Sequence, residues 1–310
     1  MRLGVSWDID AGEDPRSAWR SIMTELTTAD GLGIDSAWVE EGREHDAACS
    51  APAAFLAFAA RRTSSIQLRV AGRRLAGTNV VRVAEEMAVV DTFARGRAGL
   101  GVASPRREAA DAPVVIERID FLLAAWSSDE LRYRGTSFRF PASTADDAPA
   151  GASHPAPGNG HRPQWEWGPA TPPFLAVTPK PYAARPPVYV EIDDPAVLEW
   201  AAATGVSPYV GPDVPTGTAL ELLRAYRERA GRAGRKPYEV EPVVERRMDF
   251  DGDGDGQTVG GSPGDVVSVI RDLRAQAGVA HLVWRRTAEQ RGRVAQLSTY
   301  ASEIQPLCQT

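Results

Sequence analysis

The side chains able to do chemistry in this sequence are few and scattered. His45 closes the run Glu40-Glu41-Gly42-Arg43-Glu44-His45. An imidazole there can take or give a proton near neutral pH, or it can be a solvated loop residue. Arg43 beside it is a permanent cation suited to stabilising an anion, with an ordinary surface arginine as the alternative. Ser104-Pro105-Arg106-Arg107 offers a hydroxyl and two guanidiniums to an anionic group such as a phosphate; two solvated arginines are the plainer reading. Arg118 is either a second anion contact or the partner of Glu117 or Asp120. Arg73-Arg74 suggests an anionic ligand or a pocket of altered shape. Trp7 and Trp284 can wall an aromatic ligand or fill a core.

Other chemistry is excluded by residue type and spacing. Two cysteines, Cys49 and Cys308, make neither a disulfide framework nor a Cys-rich zinc site. Asp251-Gly252-Asp253-Gly254-Asp255-Gly256 imitates the start of a calcium loop, yet its twelfth position is Ser262 where a bidentate glutamate is needed. A flexible acidic loop is the expectation there. Gly99-Leu100-Gly101 lies within a strand and makes no dinucleotide fingerprint. Lys+Arg 35 against Asp+Glu 41 leaves a net charge of -6, which gives no global pull toward nucleic acid or an anionic membrane but is compatible with a local basic patch. No apolar run is long enough to span a membrane, and the first residues read as a strand, not as a signal peptide. The expectation is a soluble, reduced, cytoplasmic protein without a metal.

The elements that must position these residues alternate. A strand at 3–7 leads to a helix opening at Asp14-Pro15, with Trp19, Ile22, Met23, Leu26 and Ala29 on its apolar face. Strands at 36–40, 66–70 and 98–103 follow, leading to helices at about 52–61, from Asn79, and over 114–126. A stretch rich in Pro, Gly, Ala and Ser over 128–186 breaks the rhythm. Strands at 188–192, 208–210, 240–245 and 281–284 restore it. The helices between them open at Asp194-Pro195, near 218 and at the capping box from Ser262, and a last helix runs from 287 to about 307. Eight such units predict an α/β fold, a (β/α)8 TIM barrel forming one domain over 1–310, with an insertion of about 128–186 before the fifth strand. Chemistry in such a barrel sits at the carboxyl ends of the strands.

Asn79-Val80-Val81-Arg82-Val83-Ala84-Glu85-Glu86 leads through Val90-Asp91 to Gly96-Arg97-Ala98-Gly99-Leu100-Gly101-Val102. Gly33-Ile34-Asp35-Ser36-Ala37-Trp38-Val39-Glu40 precedes it, and Tyr133-Arg134-Gly135-Thr136-Ser137-Phe138 follows. Pro179-Lys180-Pro181 and Gly260-Gly261-Ser262-Pro263, the latter followed by Gly278-Val279-Ala280-His281-Leu282-Val283, complete the order. Together these stretches resemble the bacterial luciferase-like monooxygenases over nearly the whole chain. The resemblance implies a monooxygenase that acts on a small organic substrate with O2 and reduced FMN, the FMN supplied by a separate flavin reductase. F420-dependent hydride transfer is a second implication. The flavin would need a dry apolar floor, donors along one edge, and cationic or N–H groups on its phosphate. On this pattern His45 and Arg43 are the catalytic candidates, and Trp7, Arg73, Ser104, Arg106, Arg107, Arg118 and Trp284 the cofactor-binding ones. The resemblance also implies a homodimer, or a heterodimer with a related barrel, through the helices after strands 2 and 3.

The sequence departs from the family pattern at the same places. Gly42 and Arg43 stand where relatives read two histidines, and Ser104 where FMN enzymes keep an arginine on the phosphate. Asp193-Asp194 replaces hydroxyl donors, although Asp194 also reads as a helix N-cap, and Arg73-Arg74 replaces small or apolar residues. These departures leave open a third reading, a non-catalytic barrel subunit that has lost its flavin.

Overall fold

The computed structural model describes residues 1–7, 13–42, 49–136, 139–140, 176–250, 252 and 254–309. In chain order the first half comprises β1 (Arg2–Trp7), α1 (Pro15–Gly31), β2 (Ser36–Glu40), α2 (Pro52–Ala60), β3 (Gln67–Arg73), α3 (Val80–Ala94), β4 (Ala98–Val102), α4 (Pro105–Glu108) and α5 (Ala112–Ser127). A two-stranded antiparallel hairpin follows, β5 (Tyr133–Arg134) with β6 (Arg139–Phe140). The second half comprises β7 (Val188–Glu191), α6 (Pro195–Thr204), β8 (Ser207–Val210), α7 (Thr216–Arg232), β9 (Val243–Asp249), β10 (Thr258–Gly260), α8 (Pro263–Ala277) and β11 (His281–Arg286). The chain ends on α9 (Val294–Thr299), a π-helical turn over Tyr300–Ile304, and α10 (Gln305–Gln309).

Eight of the strands are parallel and close into a (β/α)8 barrel, in the order β9-β11-β1-β2-β3-β4-β7-β8, with β8 pairing back onto β9. Covered by helices outside and packed inside, these strands read as nearly continuous apolar runs. Local signals start and stop the helices. Asp14 caps α1, Asn79 caps α3 and Asp194 caps α6, each through a side chain that accepts N–H groups of the first turn. Ser262 and Asp265 form a reciprocal capping box on α8, and Gly205 and Gly278 end α6 and α8 in the left-handed conformation.

Strand alternation sorts the interior from the helix layer. Inside the barrel, Trp38 stacks on Tyr209 with ring centroids 5.6 Å apart and meets the edge of Tyr189 at 5.1 Å, with Ala71, Val243 and Val283 around them. Gly101 makes room for this indole, since a Cβ there would stand 2.9 Å from the Val70 carbonyl and 3.3 Å from the Trp38 ring.

Boundaries differ from the sequence reading in the second half. The seventh barrel strand starts at Val243, three residues later than expected, because a 3-10 turn over Pro237–Glu239 and Pro242 precede it. It runs on to Asp249 because β10, expected as loop, pairs with its far end. The last helix begins at Val294, after a turn that Gln290 holds by accepting the Thr287 N–H. Residues 141–175 of the expected insertion lie outside the described residues. Among the described residues no helix is long and apolar enough to cross a membrane.

Candidate functional site

Three glutamates face the interior at the carboxyl end of the barrel: Glu40 closes β2, Glu191 closes β7, and Glu245 lies on β9. Two arginines answer them. Arg285 of β11 pairs through Nε with Glu245 at 2.5 Å and through Nη2 with Glu40. Arg107 of α4 pairs through Nη2 with Glu40 at 2.8 Å and through Nη1 with Glu191. The hydroxyls of Ser6 and Tyr209 donate to Glu245, and the Ser104 N–H donates to Glu191 at 2.9 Å. An unbroken chain, Glu191–Arg107–Glu40–Arg285–Glu245, therefore crosses the mouth. Glu245 is fully buried, and Glu191 and Arg285 are each 5 % exposed.

Local structure explains how Arg107 comes to lie there. Ser104 caps α4, its Oγ accepting the Arg107 N–H at 3.3 Å, and this single turn carries the guanidinium over the ends of β2 and β7. Burial pulls the Arg107 pKa down, but Glu191 and Glu40 outweigh that and hold it above the ordinary guanidinium value. Beside the Glu191 end lies a cleft of about 210 Å³, bordered by Asp193, Tyr209, Gly211, Val214 and Leu222.

The structure brings together only part of the residue set read from the sequence. Arg107 and Ser104 meet at the mouth as described. Arg106 is exposed beside them. Arg118 reaches away, donating to the Thr78 carbonyl at 2.6 Å and tying α5 to the loop before α3. Arg73 is buried but engaged outside the interior. The register of β3 on β4 slips between Val70 and Arg73, and its guanidinium lies 3.3 Å from Glu41 and 3.4 Å from Glu86 of α3. Trp7 and Trp284 sit on the helix side of their strands. Trp7 Nε1 donates to Glu25 of α1 at 2.7 Å, and Trp284 packs on Phe250 and Tyr300 at 4.9 and 5.2 Å. Both fill the outer layer, which corrects the expectation that they wall a ligand at the mouth. Arg43 and His45 lie outside the described residues, as do Asp251 and Asp253 of the acidic loop. Among the described residues no group of three His, Cys, Asp or Glu is arranged to hold a metal.

The glutamates of the mouth were not singled out from the sequence, although a signal exists. Trp38 and Glu40, Tyr189 and Glu191, and Val243 and Glu245 are pairs two residues apart, so each glutamate shares the inward face with a core residue. A charged residue inside an apolar strand of a parallel sheet needs a buried partner.

These residues do not fit a flavin held in the manner the resemblance implies. Among the described residues, charged side chains stand at the end of the barrel where the resemblance implies an apolar floor. This run sets three carboxylates against two guanidiniums, and such a run disfavours a dianionic phosphate. Two helix starts near the mouth already use part of their N–H groups: Ser104 takes the Arg107 N–H of α4, and Asp194 takes the Ala196 and Val197 N–H groups of α6 at 2.9 and 3.3 Å.

Comparison with known proteins gives the lineage. The chain matches solved barrels over nearly its whole length. The monooxygenase RslO1 from Streptomyces bottropensis superposes with a TM-score of 0.75 at 17% identity, covering 99% of each chain. The oxygenating constituent of 3,6-diketocamphane monooxygenase from Pseudomonas putida, in complex with FMN, gives 0.72 at 16% identity, covering 99% of this chain and 98% of that one. An F420-dependent secondary alcohol dehydrogenase, in complex with an F420-acetone adduct, gives 0.70 at 13% identity with the same coverage. At these identities the likeness shows the fold alone. No curated protein matches the chain by sequence. The family model for luciferase-like monooxygenases matches residues 1–251, from the first strand through the seventh barrel strand, and the chain belongs to that family.

Proposed function

We propose that this chain is a luciferase-like barrel that holds no flavin at its mouth and serves as the partner subunit of a related barrel. The observation that supports this reading is the run of ion pairs from Glu191 to Glu245, partly exposed at Arg107 and fully buried at Glu245, at the end of the barrel where the resemblance implies the ring and its phosphate. A face for the partner is present on α2 and α3. A groove of about 500 Å³ there is bordered by Ala53, Ala54, Ala57 and Val89 and by the charged Arg73, Arg82, Glu85 and Glu86, and Phe58 and Phe93 on the same two helices are 55 % and 50 % exposed. Exposed aromatic rings on a face of mixed apolar and charged residues are the ordinary composition of a protein interface.

Anaerobic titration of the purified chain with reduced FMN, and separately with F420, tests the reading. The expected result is no saturable binding of either while circular dichroism shows a folded barrel. A second reading, an oxidoreductase using one of these cofactors, is favoured by the family itself and by the likeness to FMN- and F420-bearing structures. Saturable binding of reduced FMN would overturn the first reading in favour of a monooxygenase, and binding of F420 alone in favour of hydride transfer.

A further inference from the structure

At the amino end of the barrel, opposite the mouth, the carboxyl ends of three consecutive helices converge: α6 near Ala203, α7 near Gly231 and α8 near Gln276. A groove of about 330 Å³ lies there, lined by Arg224, Arg227, Arg235 and Lys236 over an apolar floor that includes Ala230 and Val240. Among the described residues no carboxylate lines it. In a chain of net charge -6, four cations around one cleft are not explained by composition.

All four cations are exposed, and hydrogen bonds hold two of them, Arg224 and Arg235. Arg224 donates Nε to the Gln276 carbonyl at 3.2 Å and Nη2 to its side-chain oxygen at 2.7 Å. Arg235 donates Nε and Nη2 to the Ala203 carbonyl at 3.1 and 2.9 Å. Arg227 packs over Gly278, where a Cβ would stand 3.0 Å from its Cζ. Lys236 Nζ lies 5.6 Å from the ring of Tyr238, which is 78 % exposed. Of the nearby acids, Glu199 pairs with Arg229 at 2.7 Å and Glu228 with Arg232 at 3.5 Å, while Glu239 accepts the N–H of the groove-lining Lys236 at 3.2 Å. Three helix ends bring about half a negative charge each, which explains why cations gather here. Four full charges exceed that, and the excess is what an anion would relieve.

We propose that this groove binds a small ligand carrying linked phosphates, its oxygens taken by guanidinium forks already fixed by backbone carbonyls. Such a ligand is either a bare polyphosphate chain or a nucleotide whose base lies on Tyr238. Calorimetric titration of the full chain at low ionic strength, with inorganic triphosphate and with ATP, tests it. The expected result is saturable one-to-one binding of both, weakened about tenfold or more in an Arg227→Ala, Lys236→Ala double variant and by added salt. Tighter binding of ATP that Tyr238→Ala abolishes identifies the nucleotide source, and equal affinity identifies the phosphate chain. The proposal fails if neither probe saturates or if the double variant binds unchanged. It fails equally if single-stranded RNA binds as tightly per phosphate as triphosphate does, which makes the groove a nucleic-acid surface.

Discussion

Arg285 bridges Glu40 and the fully buried Glu245, and Glu40 is also held by Arg107, so the loss of Arg285 falls on Glu245. Arg285→Met should lower stability by about 3–5 kcal/mol in urea unfolding, because the fully buried Glu245 would lose its guanidinium and keep the Ser6 and Tyr209 hydroxyls. Adding Glu245→Leu to that variant should return a large part of the loss, since buried pairs exchanged together for apolar groups are tolerated. A second residue-scale effect sits at the other end of the interior, where Ser36 Oγ and His281 Nε2 meet 2.8 Å apart across Gly4. A Cβ on Gly4 would stand 2.2 Å from Ser36 Oγ, so Gly4→Ala should destabilise by about 1–3 kcal/mol, and Ser36→Ala in the same chain should lessen the effect. Glu241 gathers the neighbouring donors: Tyr189 at 2.6 Å, Arg2 at 2.9 Å and His281 Nδ1 at 3.2 Å. Burial raises its pKa, but these three outweigh burial and hold it at about 2 against an ordinary 4.5. Its stabilising contribution is therefore complete above about 4.5 and is lost as pH falls toward about 2. Glu241→Gln should flatten that limb of the stability–pH curve measured by thermal unfolding, leaving the neutral-to-alkaline side unchanged in shape.

At the scale of elements, capping decides both where helices begin and what their first turns can still bind. Asp194→Ala should cost about 1 kcal/mol in urea unfolding, because two N–H groups at the start of α6 lose their acceptor. The same caps made much of the fold legible. Asp14-Pro15, Asn79, Asp194-Pro195 and Ser262-Pro263 mark four helix starts in the sequence, and apolar runs mark the strands between them. The ends of β9 and β11 were less legible because Arg246, Arg247, Arg285 and Arg286 look like solvated loop residues. Three of the four are buried, with Arg286 paired to Glu25 on the far side of the sheet, and such pairings arise only once the strands are side by side. The mouth was hidden for the same reason. Glu40, Glu191 and Glu245 are far apart in the chain, and spacing along one strand says which face a residue takes, not which charge meets it across the barrel.

For the whole molecule, the face on α2 and α3 predicts association. Sedimentation of the wild-type chain, alone or with a related barrel, should give twice the single-chain mass, and Phe58→Glu with Phe93→Glu should return it to one. Those rings are exposed, so the double variant should keep the far-ultraviolet spectrum of the parent. On the proposed reading, the mouth carries a different consequence for anyone wishing to place a flavin in this scaffold. Each guanidinium there serves two acids, so trimming one acid leaves its arginine paired with the other, whereas trimming an arginine takes the guanidinium from Glu191 or Glu245. Such a redesign is a problem of matched exchanges: Glu191 goes with Arg107, Glu245 with Arg285, and Glu40, which both arginines hold, goes last. A library that varies these matched sets reaches an uncharged mouth in three steps, without taking the guanidinium from Glu191 or Glu245 on the way.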